Sequence, residues 1–218
     1  MSPSTLRRIA GADGCPKGWT VASDSGIVVT SSLPHRDFDI LGIDMPIGLP
    51  DSWGRCADDQ ARAFLPAARR SSVFPTLPRP LLGERSYAAA NAASKLRYGR
   101  GVSIQSWSLA PKIRDLDVLA RTPGAPTLLE IHPECSFWAM TGELLPPKRT
   151  RAGVDARRRA IESWYEGEVP DRLPGAAADD IVDAVAVLWS ARRFAAGEHL
   201  VLGDGSADRF GVPMRIVV

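Results

Sequence analysis

The stretch RIAGADGCPKGWTVASDSGIVVTSSL, residues 8–33, has the pattern of consecutive β-strands. It contains three apolar runs, a short one at Ile9-Ala10 and two longer ones at residues 19–22 and 27–30. Two turn sequences, GADGCPKG and Asp24-Ser25-Gly26, separate these runs. Because short turns join strands that are neighbours in a sheet, the stretch predicts an antiparallel meander of three strands.

A second stretch, DILGID at residues 39–44, is apolar at consecutive positions and is stopped by Met45-Pro46-Ile47-Gly48. A continuous apolar run is typical of a strand that is buried on both faces of a sheet, so we predict that this strand is central. The segment TLLEIH at 127–132 has the same strand character. Pro133 follows it and stands where a helix can begin.

Helical patterns occupy three further segments, at about residues 87–96, 154–165 and 177–196. Residues 51–125 contain scattered prolines and turn sequences, and we expect them to form a helical and loop insertion over the sheet. With 218 residues and 44% hydrophobic content, the chain can bury one full core. The sequence therefore predicts a single α/β domain, residues 1–218, in which helices flank a mixed sheet.

Composition sets limits on location and partners. The formal net charge of +2 is too small to indicate nucleic-acid binding by itself. Cys15, Cys56 and Cys135 match neither zinc-site nor disulfide spacing, which favours the reducing cytoplasm. The first residues form no apolar leader, and no later segment approaches the roughly 20 apolar residues that span a bilayer. We expect neither secretion nor membrane insertion.

Two aspartates end predicted strands. Asp13 lies between Gly11 and Gly14, which allow a backbone to approach a ligand closely, although an Asp before Gly is also a common turn former. Asp44 ends the apolar run 40–43. A carboxylate that ends a buried strand needs a partner, a metal or access to water to offset its desolvation.

Three more aspartates begin the last predicted helix, in AADDIVDAVAVLWSARRF, residues 177–194. Helical spacing places Asp180 and Asp183 on one face. The helix is apolar or small on nearly all sides, so it is predicted to be buried, and carboxylates on it are costly without a metal or cationic partner. A helix cap explains Asp179 or Asp180, but it does not explain Asp183 one turn further in.

Hard oxygen ligands without a Cys and His set favour Mg²⁺ or Mn²⁺ over zinc. We predict a site for two such ions, held by Asp13, Asp44, Asp180 and Asp183. Two ions about 4 Å apart can activate a water molecule and stabilise the leaving oxygen in phosphodiester cleavage.

Further candidates lie at the exit of the strand 127–132. Glu130, His132 and Glu134 alternate along it, so they could point the same way and add a ligand or a general base. Structural explanations are also open, since Glu134 can complement a helix dipole and a lone histidine at a strand end is commonly structural.

Basic residues provide candidates for contact with substrate phosphate. Lys112 and Lys148 are two of them, although an exposed lysine without a function would look the same. The densest basic stretch runs from Lys148 to Arg159 and suits a phosphate backbone, but a charge run is usually a solvated face.

Eight motifs follow one another along the chain: GADGCPKGW, IDMPIGLP, RCADDQAR, SSVFP, LAPKI, EIHPECSF, PPKRTRAG and DDIVDA. In this order they resemble the bacterial and archaeal family called domain of unknown function 429, whose members are predicted to be ribonuclease H-like nucleases. The resemblance runs from about Gly11 to Gly211, which is nearly the whole chain.

The resemblance implies a ribonuclease H-like mixed sheet. In that superfamily the catalytic carboxylates stand on the first strand, on the strand parallel to it and on a late helix. These roles would fall on Asp13, on Asp44, and on Asp180 with Asp183. One feature departs from the pattern, because a crossover to a parallel strand usually takes a dozen or more residues with a helix, and only about 31–37 separate the strands here.

The expected function is a metal-dependent phosphodiester hydrolase that acts on nucleic acid. Two alternatives stay open at this point: a catalytically degenerate binding or regulatory module, for instance a homodimer, and a phosphotransferase-related protein, because sugar kinases share this fold. Convergent carboxylates would favour the enzyme, whereas carboxylates that are each neutralised by arginine would favour the binding module.

Overall fold

A computed structural model of the protein describes residues 7–218. Five strands form its main sheet: β1 (Ile9–Cys15), β2 (Gly18–Ser23), β3 (Gly26–Thr30), β4 (Ile40–Ile43) and β5 (Thr127–Glu130). The order across the sheet is β3-β2-β1-β4-β5. β1, β2 and β3 form an antiparallel meander, β4 lies parallel to β1, and β5 lies parallel to β4.

This arrangement confirms the predicted α/β class, with an antiparallel meander joined to parallel strands and flanked by helices. It is consistent with a ribonuclease H-like fold. The four residues of β4 are all buried, as the continuous apolar run predicts. β4 also lies between two parallel neighbours, so the predicted central position is confirmed.

The connection from β3 to β4 contains a single 3₁₀ turn, His35–Asp37, in place of the helix that usually accompanies a parallel crossover. Polar contacts fix its far end, because the backbone N–H of Arg8 donates to Asp39 Oδ2 at 2.8 Å and the N–H of Asp39 donates to the Arg8 carbonyl at 2.8 Å. These bonds hold the start of β4 beside the start of β1.

Residues 7–218 also contain seven α-helices and two short strands: α1 (Cys56–Phe64), α2 (Tyr87–Tyr98), α3 (Ile104–Ser108), α4 (Ala110–Leu119), α5 (Pro133–Thr141), α6 (Arg151–Glu162), α7 (Ala178–Ala196), β6 (Val201–Leu202) and β7 (Ile216–Val217). Two further 3₁₀ segments span Ala67–Ser72 and Arg79–Gly83. The predicted helices at 87–96, 154–165 and 177–196 correspond to α2, α6 and α7. α6 begins earlier than predicted because Thr150 caps it, accepting the N–H of Gly153 at 3.1 Å.

The chain divides into two compact units. The first contains residues up to 44 with 124–200 and 217–218, and the second contains 45–123 with 201–216. The second unit includes nearly all of the predicted insertion at 51–125. That residues 1–218 form a single domain stays a prediction.

In the part of the chain that the structure describes, no helix is both long and apolar enough to cross a membrane. The expectation that the chain has no leader concerns residues 1–6 as well, and these lie outside the described residues. The cytoplasmic location stays a prediction.

α7 is the central helix of the first unit, and it packs on β1, β2 and β4. Its residues from Ile181 to Leu188 are all buried, which confirms the prediction of a helix covered on nearly all sides. Gly11 makes this packing close. A Cβ at Gly11 would overlap the backbone of Ala184 and Leu188, and it would lie 2.7 Å from the Leu188 Cα.

The substitution Gly11→Ala therefore tests the packing of α7. We expect it to lower the free energy of unfolding by about 3 kcal/mol or more, because the added methyl group meets backbone, which cannot rotate away. Urea denaturation provides the measurement. Gly83→Ala is the matched control, since a Cβ at Gly83 meets nothing within 4 Å. Equal effects of the two substitutions would contradict the close approach.

Candidate functional site

Asp13 and Asp44 lie side by side where the parallel pairing of β1 and β4 ends. Asp44 follows the last residue of β4, as predicted, but the prediction that Asp13 ends the first strand is wrong, because β1 continues to Cys15 in its pairing with β2. The register of β1 and β4 pairs Gly11 with Gly42 and Ala12 with Ile43, and the N–H of Asp44 donates to the Ala12 carbonyl at 3.0 Å. Since side chains alternate between the faces of a sheet, Asp13 shares a face with Gly11, and Asp44 shares it with Gly42.

That face of the sheet is covered by α7. A Cβ at Gly42 would meet side chains of Val187 and Ala191, just as one at Gly11 would meet the α7 backbone. Asp183 stands one turn before Val187 and is 4% exposed. The helix therefore brings Asp183 to the same end of the sheet as the two strand aspartates.

Electrostatics show that the three carboxylates act on one another. Asp13 is 8% exposed, and its burial raises its pKa well above the usual range. The charges of Asp44, Asp183 and Asp180 raise the pKa of Asp13 further, in that order. Burial also raises the pKa of Asp44. The convergence predicted from the sequence is thus present for Asp13, Asp44 and Asp183.

Burial and neighbouring charges also shift the pKa of Asp183, and they act in opposing directions. Burial raises its pKa to about 7, and the charges of Asp44 and Glu134 act in the same direction. Lys148 opposes them, through its charge and through a hydrogen bond. A buried aspartate with a pKa near neutrality is a typical functional-site candidate, because structural carboxylates are usually fully compensated.

Lys148 is the cation beside this cluster. Its Nζ donates to Asp183 Oδ2 at 3.2 Å and lies 3.3 Å from Asp179 Oδ2. The negative charge of Asp183 is the largest influence on the pKa of Lys148, which it raises. In this structure Lys148 therefore neutralises aspartates of α7, and its predicted contact with phosphate stays a prediction.

Asp180 has a different environment. Its Oδ2 accepts the N–H of Ala177 at 2.8 Å, which is a capping contact at the helix start. The structural explanation of Asp180 is therefore confirmed, and a role in holding a metal stays a prediction. Its charge still acts on the pKa of Asp13.

The candidates after β5 do not share one strand face. β5 ends at Glu130, His132 is the N-cap of α5, and Glu134 lies in the first turn of that helix. The predicted alternation is wrong beyond Glu130, because Pro133 starts the helix. His132 and Glu134 nevertheless act on Asp44, whose pKa the first lowers and the second raises.

Sequence reasoning missed the part played by Arg157. This residue is 1% exposed, and its Nη2 donates to Glu134 Oε1 at 2.5 Å while its Nη1 donates to the Pro146 carbonyl at 2.9 Å. Arg157 thus neutralises Glu134 and holds the segment that leads to Lys148. Its position in a basic run gave no signal of burial, because such runs are usually solvated.

Arg158, in the same basic run, is also used internally. It donates to the carbonyls of Val169 and Pro170 and pairs with Asp171 at 2.8 Å. Because Arg157 and Arg158 are both used internally, the stretch from Lys148 to Arg159 is not one open basic face. Lys112, the other lysine predicted to contact phosphate, lies on α4 in the second unit.

The cluster fits a divalent cation in ligand type and in charge. Asp13, Asp44 and Asp183 offer the carboxylate oxygens that Mg²⁺ and Mn²⁺ prefer, and their mutual repulsion would be relieved by a cation. Within residues 7–218, however, no group of three or more His, Cys, Asp or Glu side chains is already arranged to hold an ion. Binding therefore requires new side-chain rotamers, or water molecules that complete the ligand set.

The mixed sheet and its carboxylates define an α/β protein with a candidate site at the end of the parallel pairing between β1 and β4. A family model described as "Protein of unknown function (DUF429)" matches residues 11–207, and the chain belongs to this family. The predicted family is thereby confirmed. None of the curated proteins and none of the solved structures compared with the chain matches it.

The pKa of Asp183 predicts how stability depends on pH. An unfolded aspartate titrates near 4 and folded Asp183 near 7, so the folded state keeps an extra proton between these values. Stability attributable to this group therefore falls as pH rises from about 4 to 7, and the loss persists above 7. We expect Asp183→Asn to remove this loss, which amounts to a few kcal/mol at about 1.4 kcal/mol per pKa unit.

Thermal unfolding at pH 5 and pH 8 measures this effect. The melting temperature of the wild type should fall more between the two pH values than that of Asp183→Asn. Asp37→Asn, at an exposed position, should behave like the wild type. An identical pH dependence in Asp183→Asn and the wild type would contradict the raised pKa.

The ion pairs of Lys148 make a separate prediction. Lys148→Met should lower stability at pH 8 by about 1 kcal/mol, a modest amount because water screens a side chain that is 45% exposed. The loss should shrink at pH 5, where Asp183 is protonated. Arg149→Met removes the same charge from the neighbouring position and serves as the control. Equal shifts in the two variants would mean that only net charge matters.

Proposed function

We propose that this protein is a metal-dependent phosphodiester hydrolase that cleaves nucleic acid. The observation that supports the proposal is the convergence of Asp13, Asp44 and Asp183, from two strands and one helix, into one mutually repelling group. Burying carboxylates together costs free energy, because they are desolvated and repel one another. Such clusters are therefore typical of sites where a cation binds or a reaction uses them.

Asp13, Asp44 and Asp183 would hold Mg²⁺ or Mn²⁺. Such ions, when bound, lower the pKa of water and stabilise charge on the leaving oxygen of a phosphodiester. Asp180, which keeps its Oδ2 on the helix cap, has only Oδ1 to contribute.

Two cationic residues give the site its remaining chemistry. Once Asp183 has another cationic partner, the ammonium group of Lys148 can exchange its hydrogen bond with Asp183 for one with a phosphate oxygen. The exchange is possible because both contacts are single charge-assisted hydrogen bonds. Arg157 already binds Glu134 through a hydrogen bond from Nη2 to Oε1, so this carboxylate is a weaker candidate for the catalytic role that the sequence suggested.

The pairing of the carboxylates favours an enzyme over a binding module. A degenerate module would be expected to neutralise its aspartates with arginine. Among the salt bridges of residues 7–218, arginine pairs with Glu134, whereas none involves Asp13 or Asp44. The strand aspartates are thus left for an external cation. A homodimer stays a prediction.

The test combines calorimetry and cleavage. We expect the wild type to bind Mn²⁺ with a micromolar to millimolar dissociation constant and to cleave oligonucleotides only when the ion is present. Asp13→Asn and Asp183→Asn should each weaken Mn²⁺ binding at least tenfold and lower cleavage by a hundredfold or more. The exposed Asp37→Asn should change neither.

Two results would overturn the proposal. One is the absence of Mn²⁺ and Mg²⁺ binding by a folded wild type in the presence of nucleic acid. The other is cleavage that survives in both Asp13→Asn and Asp183→Asn, because a contaminating nuclease would then be its source.

A further inference from the structure

The second unit contains a long basic stretch without acidic residues. From Arg85 to Arg114 the chain has six basic residues and no Asp or Glu, and these are Arg85, Lys95, Arg97, Arg100, Lys112 and Arg114. The formal net charge of the whole protein is only +2, so this stretch is a strong local departure from the balance of the chain. Local positive charge of this kind attracts polyanions.

The charges concentrate at the end of α2. Lys95, Leu96 and Arg97 are exposed on its last turn, and Leu96 is 92% exposed. Gly99, with φ of 70°, ends the helix in the left-handed conformation, and exposed Arg100 follows. One short segment therefore presents three cations and an apolar side chain to solvent.

Two aromatic rings lie under the arginines. The guanidinium carbon of Arg100 is 4.3 Å from the ring centroid of Trp53, and that of Arg97 is 5.5 Å from the centroid of Tyr98. Both distances are within the range of cation–π attraction. The arginines therefore lie over the rings.

Hydrogen bonds at their polar ends fix the two rings. Trp53 Nε1 donates to Ser94 Oγ at 3.1 Å, and the Tyr98 hydroxyl donates to the Asp51 carbonyl at 2.9 Å. The Asp51 carboxylate is 2.5 Å from Arg209, so this nearby acid already has a cation. Fixed rings lose little conformational freedom when a further flat group stacks on the assembly.

We propose that this surface binds single-stranded nucleic acid, with phosphates on the cations and bases stacked on the arginine and aromatic planes. It consists of Trp53, Lys95, Leu96, Arg97, Tyr98 and Arg100. Among residues 7–218 no salt bridge neutralises Lys95, Arg97 or Arg100. Their charges are therefore available to a phosphate backbone.

Stacking selects a single strand over a duplex. Bases can lie on an aromatic ring or a guanidinium plane only when they are unstacked from their own neighbours, as they are in single strands. An acidic protein would satisfy the cations but would leave the planar stacks and Leu96 unused. The surface thus fits a chain that offers phosphates and flat bases together.

This inference names the substrate class of the proposed function, and it rests on that function for the step from binding to cleavage. Binding itself can be measured without metal. We would therefore record fluorescence anisotropy of a labelled oligothymidine of about 20 nucleotides in EDTA, over a series of salt concentrations from about 50 mM upward.

The double variant Arg97→Gln/Arg100→Gln should weaken binding at least tenfold at the lowest salt. It should also reduce the dependence of log affinity on log salt by about 1.4, because each of the two arginines that no longer neutralises a phosphate accounts for about 0.7. The matched control is Arg151→Gln/Arg172→Gln, which removes two exposed charges from the first unit. The control should bind within twofold of the wild type.

Trp53 tests the stacking. Trp53→Leu should weaken binding at least fivefold, and Trp53→Phe should restore most of the affinity because it keeps an aromatic plane. A circular dichroism melt of each variant establishes that it is folded. If Trp53→Phe binds no better than a folded Trp53→Leu, the stacking role is wrong.

Three outcomes would overturn the inference: no binding by the wild type at the lowest salt, equal weakening in the two double variants, or equal affinity for a duplex of the same length. Failure of cleavage with Mn²⁺ would instead count against the proposed hydrolase, and oligothymidine binding in EDTA would be unaffected by it.

Discussion

The site depends on the close contact between α7 and the sheet. Because Gly11 and Gly42 have no side chains, the helix lies against the backbone of two neighbouring parallel strands. The next residues on the same face are Asp13 and Asp44. They are close enough to Asp183 of the helix for the charges of the three carboxylates to act on one another. A bulkier residue at Gly11 would push the helix away and separate Asp183 from the strand aspartates.

This close packing has an energetic cost. Burial raises the pKa of Asp13, of Asp44 and of Asp183, so each is harder to ionise than an exposed aspartate. The chain offsets part of this cost through Lys148, which stands on a segment that Arg157 holds. Local conflict of this kind, inside an otherwise well-packed core, is typical of functional sites.

The sequence was sufficient to predict the strands, the long helix and the three convergent aspartates, because each has a local pattern. The run DILGID has no polar interruption before Asp44, and Asp183 interrupts an apolar helix beyond the reach of a cap. The contacts of Arg157 could not be predicted. They join residues 11 and 23 positions apart, and a charge run gives no local sign that one of its members is buried.

The alternation expected for Glu130, His132 and Glu134 failed for a related reason. Side chains alternate between the sheet faces only as far as Glu130, where β5 ends, and Pro133 then begins α5. Asp13, Asp44 and Asp183 are expected to titrate as one group. NMR titration of the Asp side-chain carboxyl carbons, in the wild type and in Asp44→Asn, measures this coupling. We predict a midpoint for Asp183 of about 7 in the wild type and a lower one in Asp44→Asn. A midpoint near 4 that does not respond to Asp44→Asn would mean that the three aspartates titrate independently.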